Sequence, residues 1–508
     1  MRYSPEELDR AMVKVPAGTF LFGMTPDEKQ TAARAAGVHP DMLHFHSGRR
    51  SLTVPEFWLD RYPVTRGQFL RFMRETNWTI PYNGWQVGWR ELYGDPLAPA
   101  GAQTPEELAR PVTGVSSEDA AAYAAWAGKR LPTEVEWEKA ARGSDGRLHP
   151  WGNTWNDTAC FRNPGGVLPS ASFPVGSFPE GASPYGAMDM AGSVLQWVKV
   201  VYPAQASRTG QKDANRHVFA GSSPLHTQGY THMVTNRLSW HEGMRIYNSG
   251  FRCASDVPPA GLVTQPEYQP GTVARPAPVE VRRDLYLREQ IRLEPLPFSA
   301  FKIHVPWFPQ SVWVMDSPEG RWGPFGGAND WPFGAEDLWR VDWRTDADGR
   351  RISYERLRGG KGVRFEARVN GPAVEYRFES VGMGLLDLSS ICLKSFSPFF
   401  SSQERMTQHR LDGAELVRCC DQPLDGGTFA SFGWTLGQAL DPGAAIYRSY
   451  DGSSFMGFVG PRGCTIWGNG WVPCTHLTGP TRQVEDGGGR IVFLIGTLDE
   501  LRPHLLWP

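Results

Sequence analysis

The sequence predicts an α+β domain followed by an antiparallel β-sandwich-like domain. Three observations carry this reading. Helices with clear start and stop signals lie before residue 143 among short extended runs. Residues 255–280 hold six prolines and no apolar period, the mark of an extended linker or strap. Beyond Arg283, short alternating runs are punctuated by turn residues. The expected organisation is therefore 1–256, a strap at 257–282, and a β-rich domain at 283–508.

At 508 residues the chain has length for two or three domains with buried cores. Charged residues make up 21%, the net charge is −2 and no basic stripe is present, which argues against nucleic acid as a partner. Plentiful glycine (56), proline (42) and tryptophan (20) suit a loop-rich structure with aromatic anchors. The start, MRYSPEELDRAMVKV, is charged and lacks an apolar core, and no apolar run reaches the ~18 residues a bilayer span needs. A cytoplasmic protein without a membrane partner is expected. Seven cysteines, thinly spread and without a CxxC spacing, are expected to be reduced thiols.

The elements follow in order. Residues 13–24 read as an opening strand. Thr25, Pro26 and Glu28 start a helix that Gly37 stops. His44 and His46 would share one face of an extended segment as a metal pair; the alternative is a polar surface loop, since no carboxylate or thiol completes the set. Residues 51–59 form a strand. Thr65 and Gln68 box the next helix, with Phe69, Phe72 and Met73 as its buried stripe. Residues 111–153 are the organising stretch. Ser116 or Ser117 caps a thin alanine-rich helix carrying Tyr123 and Trp126, and Gly128 closes it. Thr133 and Glu136 box a second helix that Gly143 ends, before the turn-rich run His149-Pro150-Trp151-Gly152-Asn153. In the second half, 363–369 and 373–379 form a hairpin through Asn370-Gly371-Pro372. Asp451-Gly452 joins 444–450 to 454–459, 490–495 is another strand, and Thr497 with Glu500 caps a short terminal helix.

The wording of 111–153 resembles the central signature of the formylglycine-generating enzyme, or sulfatase-modifying factor, family. So do VPAGTFLFGM at 15–24, FWLDRYPVTRGQFLRFM at 57–73, PVGSFPEGASPYGAMDMAGSVLQWV at 174–198 and NSGFRCASD at 248–256. The resemblance covers the first half of the chain and implies a C-type-lectin-like fold there. It also implies a copper-binding cysteine pair that oxidises a substrate cysteine, and a calcium site using the asparagine and glutamate of G-N-x-W-E-W. A thiolate pair suits Cu(I), and calcium prefers charged oxygens. Here the interval 221–250, where that cysteine pair belongs, contains no cysteine, and the calcium motif reads Gly192-Ser193-Val194-Leu195-Gln196-Trp197. Neither the copper nor the calcium of the family carries over on these residues.

In place of the cysteines stand His226, Tyr230, His232, Arg237 and His241. Three histidines within sixteen residues, with Glu242 as the nearby acid, form a candidate iron or copper site for oxygen chemistry. The alternative is that they are loop residues lining a groove. The resemblance places that groove between 221–241 and the loop near Trp151, where Tyr230, Trp240 and Trp151 offer stacking area. Arg237 offers a fixed charge for a ligand, or else ties the loop to the core. Elsewhere, Trp331, Phe333 and Trp339 beside Asp330, Glu336 and Asp337 suit sugar stacking or sandwich packing. Cys419-Cys420 is a strained redox pair or two thiols. The glycine cluster at 381–384 lacks a strand–loop–helix phosphate cradle. Two functions follow. One is a module binding a peptide, protein or carbohydrate in the former substrate groove; the other is an oxidoreductase with a histidine-centred metal.

Overall fold

The computed structural model describes residues 5–36, 43, 48–80, 103–162, 173–201, 216–224, 229–241, 245, 248–263, 280–296, 299–316, 341–382, 391–396, 408–412, 415–418, 423–424, 428–429, 444–449, 452–460, 465–469, 474–478 and 486–505. Those up to 263 belong to one compact unit and those from 280 to a second. Outside the described residues lie His39, His44, His46, the aromatic loop at 323–339, Cys419-Cys420 and most of the proline-rich strap. No described helix is long and apolar enough to cross a membrane.

The first unit begins with α1 (Pro5–Asp9), β1 (Met12–Val15), β2 (Gly18–Phe22), α2 (Pro26–Ala36), β3 (Arg50–Val54), β4 (Phe57–Asp60) and α3 (Arg66–Thr76). The single opening strand expected over 13–24 is two strands. Pro16 lacks an amide donor, and Gly18 adopts φ +145°, so the chain breaks there. β1 then pairs with β4, whereas β2 pairs with β3. The run 51–59 divides in the same way at Pro55. Thr65 and Gln68 form the expected capping box on α3; Phe69 and Phe72 are buried and Met73 is half-buried.

Next come α4 (Pro105–Leu108), α5 (Ser117–Trp126) and α6 (Glu134–Arg142). Ser116 and Thr133 cap α5 and α6 with complete boxes, each side chain worth about 1 kcal/mol over alanine. The remaining strands are β5 (Leu195–Val198), β6 (Arg216–Ala220), β7 (Arg237–His241), β8 (Ser249–Phe251) and β9 (Ala254–Ser255). Four of them make one sheet in the order β7-β6-β5-β8, with β8 parallel to β5. β9 adds to β4, so the beginning and end of this unit share one small sheet. The core gathers Phe20, Phe22, Phe57 and Leu59 around Trp137 of α6.

The second unit has two large antiparallel sheets. One runs Arg292–Pro295, Ala300–His304, Val312–Asp316, Ile391–Phe396, Cys474–Thr478, Thr465–Asn469. The other has nine strands, with Lys361–Asn370 and Ala373–Val381 paired through Gly371 at φ +56°. Both sheets contribute to one shared core cluster: Trp313 meets Phe493 edge-on at 4.6 Å, and Phe301 lies 5.9 Å from Phe365. A triple glycine at 487–489 passes close to Tyr376, and a Cβ on Gly489 would lie 2.1 Å from its hydroxyl oxygen.

Candidate functional site

α6 stops at Gly143, whose φ of +75° and contact with Pro184 exclude a larger residue. The loop that follows is built from its own hydrogen bonds. His149 and Gly152 exchange main-chain bonds of 2.9 and 3.1 Å, and Asn153 Oδ1 accepts the Leu148 amide at 2.9 Å. This turn projects Trp151. The His149 and Trp151 rings stack at 4.9 Å and 3°, and Trp155 stands nearly perpendicular to both. Trp151 Nε1 donates to Thr154 O (3.0 Å) and Trp155 Nε1 to Asp157 Oδ1 (2.7 Å), which fixes both indoles. Arg162 places its guanidinium 4.7 Å over the Trp155 ring.

His149 is buried, whereas Trp151 and Trp155 remain partly exposed. Burial lowers the His149 pKa to about 4, partly offset by a 3.1 Å bond from Nδ1 to the His232 carbonyl. A carbonyl only accepts, so Nδ1 carries the proton and Nε2 of the neutral ring carries the lone pair.

The segment Gly229–His232 is a short 3₁₀ turn docked on this loop, with the Val234 amide bonded to Leu148 O at 2.9 Å. Tyr230 and His232 are both buried, so Tyr230 does not offer the open stacking area expected of it. Both His232 nitrogens have protein partners, Thr231 Oγ1 at 3.2 Å and Phe161 O at 3.3 Å. Arg237 is buried as well. Its guanidinium donates to Val234 O (2.8 Å), Asn236 O (2.9 Å) and Glu138 Oε2 (2.6 Å), and it packs on Phe22 and Trp137. Of the two roles weighed for Arg237, this geometry is that of a tie between the groove segment and α6.

Both ends of the cysteine-free interval are tied by buried side-chain bonds. Ser222 Oγ accepts the Gly192 amide at 2.8 Å, and Asn248 Nδ2 donates to Ser223 Oγ at 3.1 Å, with both serines fully buried. Cys253 is a buried free thiol; burial and the neighbouring Asp60 carboxylate push its pKa well up, the reverse of what a metal-binding thiolate needs. Gln196 stands where the family's calcium motif has glutamate. Its Oε1 accepts from Trp137 Nε1 (2.8 Å) and Arg252 Nε (2.7 Å), and its Nε2 donates to Asp189 O (3.0 Å). With both oxygen lone pairs committed, this amide has none left for a cation, so the residue does not fit calcium.

Of the histidine set, His226 and Glu242 lie outside the described residues. His241 and Trp240 are placed only by backbone, opposite Arg216 and His217 on the β7–β6 ladder. Among the described residues no group of three His, Cys, Asp or Glu side chains is arranged to hold a metal. The structure adds His149, Trp155 and Arg162, which the sequence reading did not single out. Their signal was the aromatic density of the turn-rich run 149–155.

The sulfatase-modifying factor enzyme 1-like domain profile matches residues 2–257. The chain belongs to this family. The sulfatase-modifying factor enzyme 1-like domain here is 32% identical to the inactive C-alpha-formylglycine-generating enzyme 2 of Bos taurus, over 49% of this chain and 90% of that protein. It is 29% identical to the formylglycine-generating enzyme of Thermomonospora curvata, over 50% of this chain and 96% of that protein. The solved structure of PvdO from Pseudomonas aeruginosa aligns with a TM-score of 0.37 and 25% identity, covering 48% of this chain and 94% of that one.

Proposed function

We propose that the family domain of this chain is a binding module that has lost formylglycine generation. The observation that supports this most directly is the interval 221–250. It has no cysteine, and the serines at its start are spent on buried hydrogen bonds. The ligand is a peptide, protein segment or carbohydrate, held in the former substrate groove. Trp151 supplies contact area, and buried Tyr230 and Arg237 support the wall that carries Trp240. In this reading the domain spans 1–256 with a C-type-lectin-like fold, the strap spans 257–282, and a β-sandwich occupies 283–508. That one family relative is called inactive is consistent with it.

The competing function is a metal-dependent oxidoreductase using His226, His232, His241 and Glu242. A segment 40% identical to the hercynine oxygenase of Mycobacterium tuberculosis, covering 22% of this chain and 30% of that protein, keeps it in view. His232 weighs against it, because a metal there would break one of two existing ring bonds. Metal analysis of untagged protein, purified without added chelator, separates the two. The binding module retains no stoichiometric iron or copper; one tightly bound equivalent overturns it.

A further inference from the structure

The corner made by Trp151 and Trp155 has a chemistry of its own. The two ring planes meet at 79° with centroids 5.7 Å apart, and both indole N–H groups are tied back to protein oxygens. The domain's core tryptophans, Trp137 and Trp197, are fully buried, whereas these two keep exposed surface. Fixed, partly exposed indole faces are stacking platforms with little entropy left to lose.

Beside them, buried His149 carries the Nε2 lone pair, with no partner for that atom among the described residues. Nε2 is not among the fully buried polar atoms without a partner, so it reaches the surface, where a ligand hydroxyl can replace water as its donor for a net gain of about 0.5–1.5 kcal/mol. Polar side chains follow Trp155 directly in the chain. Glu180 accepts from Asn156 Nδ2 (3.0 Å) and Thr158 Oγ1 (2.5 Å), and Arg162 lies on Trp155.

We infer that this corner binds a neutral saccharide, one C–H face stacked on indole and one hydroxyl donating to His149 Nε2. The inference rests on the binding-module reading above and names its ligand class. A cationic ligand is disfavoured because Arg162 already brings positive charge to the Trp155 face. A flat apolar ligand would leave the His149 acceptor unpaired.

The test uses the full chain labelled with 5-fluorotryptophan, the Trp151 and Trp155 resonances being assigned by Trp→Phe variants. The probes are neutral hexasaccharides of β-1,4-glucose, α-1,4-glucose, β-1,4-xylose and N-acetylglucosamine, with tetramethylammonium and an unstructured peptide as controls. At least one saccharide should shift both resonances saturably. His149→Asn keeps a donor for the His232 carbonyl but loses the Nε2 acceptor, and should weaken binding about tenfold. His149→Gln can return an acceptor near the Nε2 position and should restore most of it. Circular dichroism confirms folding of each variant. If no saccharide moves either resonance but the peptide or tetramethylammonium does, the saccharide assignment is overturned while the binding module stands. If no probe moves them, both fall. Saccharide binding unchanged in His149→Asn overturns the hydroxyl contact.

Discussion

His149 donates its Nδ1 proton to the main-chain carbonyl of His232, 83 residues away, across 3.1 Å. That bond and the Val234–Leu148 main-chain bond hold the loop after α6 against the segment before β7. They bring together two stretches that the sequence treats as separate, and they fix the tautomer that leaves Nε2 as an acceptor.

The first prediction concerns acid stability. His149 has its pKa lowered from 6.5 to about 4 by burial, so the folded state resists a proton that the unfolded state accepts. Its contribution is complete above the unfolded pKa and is lost as pH falls from about 6.5 through 4. The shift corresponds to on the order of 3 kcal/mol. Denaturant titrations at neutral pH and near pH 4 should show a smaller loss in His149→Asn than in the natural protein. Equal losses would remove His149 from the account.

Asp189 has the opposite sign. It is buried in a left-handed conformation, φ +58°, with Oδ2 accepting the Gly176 amide at 2.6 Å. Desolvation raises its pKa from 3.8 to about 6, against the pull of Arg252. Its share of stability is therefore full below about pH 4 and declines as pH rises through 6. Asparagine tolerates this φ and keeps the amide contact. Asp189→Asn should lack that decline in pH-dependent melts; an unchanged profile contradicts the assignment.

The buried pair Arg237–Glu138 yields a third. Both side chains are buried, and Glu138 Oε1 also accepts the Gly23 amide at 2.7 Å and Arg142 at 3.0 Å. Removing one partner of a buried pair costs about 3–5 kcal/mol when the other charge is left uncompensated, and because Glu138 keeps Arg142 the loss falls at or below the lower end of that range. Arg237→Met should destabilise the first unit by up to about 3 kcal/mol in thermal melts. A variant of natural stability with lost ligand binding would show instead that Arg237 faces the ligand.

How much of this was readable in advance depended on range. The capping boxes of Thr65, Thr133 and Thr497 involve partners three residues away, and the residue types alone announce them. The cysteine-free interval was equally plain. The run 13–24 reads as one strand because its apolar pattern continues across Pro16 and Gly18, where the backbone changes sheet partner. The fate of Arg237 was not legible, since Glu138 lies 99 residues away and nothing local distinguishes a tie from a ligand contact. His149 was hidden for the same reason, its partner being a main-chain carbonyl that no residue type encodes.

The proposed boundary gives a fourth prediction. Prolines at 258, 259, 266, 270, 276 and 278 interrupt any ladder, and the described residues on either side belong to different compact units. Limited proteolysis should cut within 257–282 and release two fragments that each melt cooperatively. A fragment that unfolds on cleavage would make the strap part of a core.

The proposed binding module holds its ligand in a groove that no longer generates formylglycine. The most direct measurement incubates the protein with copper, oxygen and a sulfatase-type cysteine peptide, followed by mass spectrometry of the peptide. The absence of any cysteine from Phe161 to Arg252 predicts that the thiol survives unchanged. Conversion of that cysteine to the formylglycine aldehyde, catalytic in protein, would contradict the account.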